Sequence, residues 1–232
     1  MRHGLVVHKM RSKTPIVIWG AGGHATVVTE ILEICGRWSI VGYLDEVNPG
    51  RWGATFGDYP ILGGEEAFQG LGKQGIRHIA LALGDNRARQ RAGEATQEMG
   101  LECVTAIHPN AYVSPKAAIG RGVVCAAGAV VGPVTNISDG VIVNTGATID
   151  HGCCVASYAH ISPGASLGGE VAVGEGAWIG LGASVLDKRH IGEWTIIGAG
   201  AVVTRDIPAG VVAFGVPAKI QRQNTSSPNQ AP

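Results

Sequence analysis

The sequence predicts a two-part chain, a small parallel α/β domain followed by a β-solenoid, on three observations. Over its first hundred residues, short apolar runs alternate with stretches of helical spacing. From Val113 to Val203 every sixth residue is Val, Ile or Leu, with Cys125 the single exception. Glycine contributes 36 of the 232 residues, roughly twice its ordinary share.

The first half reads as strand, helix, strand. Ile16–Trp19 is an apolar run, followed by the loop Gly20-Ala21-Gly22-Gly23-His24. Ala25–Cys35 then carries Val27, Val28, Ile31, Leu32 and Cys35 at helical spacing. A second run, Ile40–Leu44, ends at Asp45-Glu46; a third, His78–Leu83, ends at Gly84-Asp85-Asn86 and leads into a polar helix over 87–99. This rhythm implies a parallel sheet whose ligands gather beyond the carboxyl ends of its strands.

The second half is governed by the number six. An even period keeps the in-out alternation of a strand constant from one repeat to the next. Coils of such repeats stack like side chains into one continuous core. Glycine follows the aliphatic at 120, 132, 168, 174, 180, 192 and 198, as expected where coils approach closely.

Composition excludes several classes. Eighteen basic residues balance eighteen acidic ones, which argues against nucleic-acid or polybasic membrane-surface binding. No apolar run is long enough to span a bilayer. Residues 1–14 are basic, without a hydrophobic signal core, and are expected to form a disordered leader; 223–232 are expected to form a disordered tail. Five cysteines, with no C-x-x-C pair, argue against a disulfide scaffold or zinc knuckle and fit the cytoplasm. Cys153 falls in a small-residue slot of its repeat and reads as packing. Trp178 and Trp194 fall in exposed register.

The repeats together resemble the hexapeptide-repeat acyltransferases. That resemblance implies a left-handed parallel β-helix with three hexads per coil, a homotrimer, and acetyl-CoA lying between neighbouring subunits. The handedness reverses the usual crossover rule and is taken from the resemblance alone. A narrower likeness rests on Gly20–His24, Asp45-Glu46, Gly84-Asp85-Asn86, Ile107-His108-Pro109, the stretch from Asn144 to Gly169, and Gly215-Val216-Pro217-Ala218-Lys219. It is to bacterial N-acetyltransferases of nucleotide-linked amino sugars (the UDP-4-amino-sugar type) and to sialic-acid O-acetyltransferases. The implied organisation is a Rossmann-like nucleotide-sugar domain over 15–106, the β-helix over 107–208 and an extension over 209–222.

The resemblance also implies roles. His151 matches the family's general base, and an imidazole suits removal of a proton from an attacking amine. The family's carboxylate after this histidine is replaced by Gly152, so Asp150 or a neighbouring subunit is expected to orient the ring. His160, Gly169, Leu181 and Ala199 match acetyl-CoA contacts. Gly22, Gly23 and His24 match phosphate contacts, as amides at a helix start allow. Asp45, Glu46 and Gly84 match positions around the nucleotide, and Asn144 a substrate contact.

The glycine loop also resembles a dinucleotide fingerprint, but the domain has too few strands for a full dinucleotide fold. Histidines 151, 160 and 190 lack the spacing of a β-helical carbonic anhydrase, so no metal is expected. The alternatives to N-acetylation are O-acetylation of sialic acid or a related sugar, and a non-catalytic trimeric module that binds nucleotide-sugars.

Overall fold

The computed structural model describes residues 13–225. Strand β1 (Thr14–Trp19), helix α1 (Gly23–Cys35), β2 (Trp38–Leu44), β3 (Thr55–Phe56), β4 (Tyr59–Gly63), α2 (Glu65–Gly70), β5 (His78–Leu81), α3 (Asn86–Glu98) and β6 (Glu102–Cys103) build the first part. Their sheet has the order β3-β4-β2-β1-β5-β6, parallel throughout except for the β3–β4 hairpin. The central strands are apolar on both faces because helices cover both; Ile16, Val17, Ile18, Leu44 and Ile79 are fully buried.

From Ala106 the chain winds into two-residue rungs, each as far as Ser184-Val185 paired in parallel with the rung eighteen residues on: Ile142-Val143 with His160-Ile161, Thr148-Ile149 with Ser166-Leu167, Cys154-Val155 with Ala172-Val173. Three such sheets enclose one core, the left-handed parallel β-helix. We call them the first, second and third faces, running through His160, Thr148 and Cys154 respectively. Every aliphatic of the hexad from Val131 onward is at most 3% exposed, and the small residues four places later, such as Ala147, Cys153 and Ala159, fill a second buried layer. Each such aliphatic contributes about 1.5–3 kcal/mol by leaving water.

The glycine after the aliphatic is explained by coil spacing. A Cβ on Gly132 would stand 2.8 Å from the Asp150 carbonyl carbon and 2.9 Å from the His151 nitrogen of the next coil.

Both disordered ends need correction where they are described. Thr14 opens β1, paired with Trp38. Gln223 closes a strand, Lys219–Gln223, antiparallel to Val211–Phe214. The expected extension is itself partly β-helix, because Val211–Phe214 pairs in parallel with the Ile196-Ile197 rung and buries Val211, Val212 and Ala213. The remainder of the leader (1–12) and of the tail (226–232) lies outside the described residues.

The first part sits on the first face. Val124 and Ile142, pointing out of the β-helix, join the core beneath α1 with Ala25, Val28 and Ile31. Helix α3 runs along a corner column of left-handed backbone: Gly122, Gly140, Tyr158, Gly176 and Trp194, each eighteen residues apart. Glycine suits positive φ; the tyrosine and tryptophan adopt it with their rings folded back over Gly140 and Gly176. Arg87 stacks on Trp194, its guanidinium carbon 4.0 Å from the ring centre, and Asn86 Nδ2 donates to Gly176 O at 3.0 Å. Asp85 caps the helix by accepting from the Ala88 amide at 2.7 Å. The 84–86 turn is thereby held against the β-helix.

Candidate active site

A cavity of about 290 Å³ opens at the carboxyl ends of β1 and β2, lined among others by Gly22, Asp45, Glu46, Arg51, Leu83 and Arg91. Asp45 is 6% exposed, and its carboxylate is occupied by its own loop. It accepts from the Val47 and Asn48 amides at 3.1 Å and pairs with Arg51 Nη1 at 3.2 Å. The same Nη1 donates to Ala21 O at 3.0 Å, tying this loop to the glycine loop. Burial and the neighbouring Glu65 raise the Glu46 carboxyl above its usual range, with Arg91 acting in the opposite sense.

A second cluster lies where the first part meets the first face. The His160 ring stacks on Trp178, centres 5.4 Å apart and planes 13° from parallel, and lies 6.5 Å from the His24 ring. Trp178 Nε1 donates to Ser162 Oγ at 2.8 Å, which fixes the stack. Asn144 Oδ1 accepts from the Thr145 amide at 2.8 Å, so its Nδ2 faces His160 Nε2 at 3.0 Å. The imidazole nitrogen there is an acceptor, and Nδ1 carries the proton. That Nδ1 is buried and has no hydrogen-bond partner among the described residues, with the Gly84 backbone beside the ring. Burial, then the Arg89 charge, lowers the pKa of His24 to about 4 and that of His160 to about 3.

His151 stands elsewhere. It is exposed at the corner between the second and third faces, in one column with Pro133 and Gly169. Asp150 Oδ1 accepts from the His151 amide at 2.7 Å, serving the main chain rather than the ring. At Gly152 the backbone is left-handed, φ +68°, and an added Cβ would meet Glu170 Cγ at 3.2 Å. Leu181 and Ala199 are exposed in a third column, with Pro163, at the corner between the first and second faces.

Residues 15–95 match the PglD N-terminal domain. The acetyltransferase domain of PglB from Neisseria gonorrhoeae, solved with acetyl coenzyme A, is 38% identical, with a TM-score of 0.84, covering 90% of this chain and all (100%) of that one. PerB from Caulobacter crescentus, solved with CoA and GDP-perosamine, is 42% identical, with a TM-score of 0.85, covering 90% of this chain and 98% of its own.

The chain belongs to the hexapeptide-repeat acyltransferases of nucleotide amino sugars.

WeeI from Acinetobacter baumannii, at 24% identity and a TM-score of 0.74, shares the fold. No curated protein matches. Within this acyltransferase the structure brings together His24, Gly84, Asn144 and His160, and separately Gly22, Asp45 and Glu46. His24 faces His160 rather than lining the cavity with Gly22, because its ring turns down onto the β-helix. Trp178 and Trp194, expected in exposed register, are half-buried under His160 and Arg87. Among the described residues no group of His, Cys, Asp and Glu could hold a metal ion, and no helix is long and apolar enough to cross a membrane.

Three residues of this acyltransferase were missed by sequence reasoning: Arg51, Arg89 and Arg91. Each sits in a polar segment with no motif of its own. The spacing of Asn86 and Arg89, one helical turn apart behind Gly84-Asp85, was the one available signal.

Proposed function

We propose that this acyltransferase uses acetyl-CoA to N-acetylate the amino group of a nucleotide-linked amino sugar. The observation that carries the reading is the turn joining the two clusters. Leu83 lines the cavity at the glycine loop, and Gly84, the next residue, faces His160 on the β-helix. An acceptor whose nucleotide lies in the cavity has its sugar delivered along that turn.

The nitrogen lone pair of the neutral amine attacks the thioester carbonyl, forming the N–C bond. His151 takes the proton that the nitrogen gives up, the C–S bond breaks, and the coenzyme leaves as thiolate to be protonated to the thiol. Amides near Gly169 stabilise the oxyanion. Asp150 holds the turn that presents His151. Pro163, Leu181 and Ala199 form a column suited to a long ligand along the helix axis, with His160 near the thioester. Gly22, Gly23 and the main-chain amide of His24 meet the diphosphate end, Asp45 and Glu46 the nucleoside, Asn144 the sugar.

Within one chain the second face separates His151 from the His160 cluster. A site using both takes His151 from a neighbouring copy, so the working form is a homotrimer with three shared sites. The enzyme is cytoplasmic, and its product feeds surface-polysaccharide assembly.

The test is thiol release from acetyl-CoA with GDP-, UDP- and dTDP-linked amino sugars and free sialic acid. Turnover with a nucleotide-linked amine supports the reading. Turnover with sialic acid alone overturns it in favour of O-acetylation, and no turnover with any acceptor, without coenzyme binding, overturns the enzyme reading altogether. For the shared site, His151→Ala and His160→Gln chains are mixed and co-refolded. Activity recovered in the mixture, absent from each parent, supports intersubunit sites; none recovered places the whole site in one chain.

A further inference from the structure

Arg89 is a charged side chain with no solvent exposure and no carboxylate paired to it among the described residues. Its five N–H groups are nonetheless all used. Nε donates to Gly140 O at 2.7 Å. Nη1 donates to Leu83 O at 2.8 Å and Gly84 O at 3.2 Å. Nη2 donates to Asn86 Oδ1 at 2.8 Å and Tyr158 O at 2.7 Å.

These acceptors come from three segments with distinct duties: the turn after β5, the corner at Gly140, and the chain entering the His160 rung. One rigid planar group therefore sets the distance between the nucleotide-side turn and the histidine. Burying a guanidinium this way is costly unless every donor is met. Burial lowers its pKa only to about 9, so it stays charged at neutral pH.

We propose that Arg89 is a positioning residue for acetyl transfer: by clamping the Tyr158 carbonyl, where the chain enters the His160 rung, to the Gly84 turn, it holds the imidazole in the place where Nε2 accepts from Asn144 and the proton stays on Nδ1. Asn144 secures the other side, donating to Nε2. Arg89 thus acts on the ring through the main chain at Tyr158 and Ala159, and Asn144 acts on it directly. The Arg89 charge also disfavours an imidazolium at His160, so the ring meets its ligand as a neutral group. The inference rests on the reading of His160 as an acetyl-CoA contact.

The experiment is nitrogen-15 NMR of histidine-labelled full chain, with the His160 signals assigned from His160→Gln, beside steady-state kinetics. In the unliganded wild type, His160 is expected as the Nδ1–H tautomer. Arg89→Lys keeps the charge but loses the fork. It is expected to mix the tautomers and to lower kcat by on the order of tenfold to a hundredfold, with acetyl-CoA affinity retained. Nε2–H at His160 in the wild type overturns the proposal whether or not any variant folds. A folded Arg89→Lys with reduced Tm but unchanged tautomer and kcat also overturns it, leaving Arg89 a structural staple. Acetyl-CoA titration separates the underlying reading: if the coenzyme leaves the His160 signals unmoved, the contact fails while the tautomer result stands.

Discussion

The His151 ring rests against the α-carbon of Gly169, one coil further on: an ideal Cβ there would stand 2.7 Å from both Cε1 and Nε2 of the imidazole. The backbone at Gly169 is not left-handed, so alanine fits its φ without strain. Gly169→Ala is therefore expected to leave the fold intact and to push the ring aside. The expected cost is about tenfold or more in kcat/KM with Tm nearly unchanged. Kinetics and thermal melts of the same preparation check it; unchanged kcat/KM would mean that the ring position is unimportant.

Removal of the imidazole should exceed that effect. His151→Ala is expected to lower kcat by about 10²–10⁴-fold, with acetyl-CoA affinity retained in equilibrium titration. Asp150→Asn should cost less, because its carboxylate bonds the His151 amide and asparagine keeps an acceptor oxygen there. Equal losses in the two variants would assign Asp150 to the proton transfer itself.

The two buried histidines predict acid sensitivity. His24 and His160 have pKa values of about 4 and about 3, against an ordinary 6.5, set first by burial and then by Arg89. Above pH 6.5 or so neither folded nor unfolded chain protonates them, and their contribution to stability is complete. As pH falls through about 6.5 toward 4, the unfolded chain binds protons that the folded chain refuses, and stability is lost. Each histidine adds up to about 1.4 kcal/mol per pH unit to that slope. Urea unfolding midpoints across this window should fall less steeply in His160→Gln; parallel slopes would contradict the assignment.

Arg51 joins the two loops of the nucleotide cavity through Ala21 O and Asp45. Arg51→Ala is expected to raise KM for the nucleotide sugar by roughly tenfold, about 1.4 kcal/mol. The change should spare kcat and KM for acetyl-CoA. A fall in kcat alone would place Arg51 outside nucleotide binding.

The β-helix was legible because its signal is redundant. Each aliphatic from Val113 to Val203 repeats one instruction, and burial in the structure follows that spacing. The α/β part was legible as strands and helices, with ends displaced by a few residues; β1 begins at Thr14 and α1 at Gly23, within what reads as leader and loop. The short hairpin of Thr55–Phe56 and Tyr59–Gly63 was not foreseen, since the first strand has only two residues and the second, five residues long, carries a proline and shows no polar-apolar alternation in its sequence. Single residues with motifs, such as His151 and His160, could be picked out, whereas their partners could not. Arg89 reaches Gly140 and Tyr158, fifty-one and sixty-nine positions away, and no local pattern encodes such a meeting. Cys153 was read as packing; it is fully buried beneath its corner.

The eighteen-residue coil also makes length a counted quantity in this molecule. Adding or removing one whole coil beyond the site lengthens or shortens the column without turning any face. An insertion of six residues between Ile107 and Asn144 would keep every aliphatic inward, yet carry the first part round by a third of a turn and away from His160. One residue alone would invert inside and outside for every later rung. Viable length changes in such chains should come in eighteens, while substitutions can vary freely on the exposed corners.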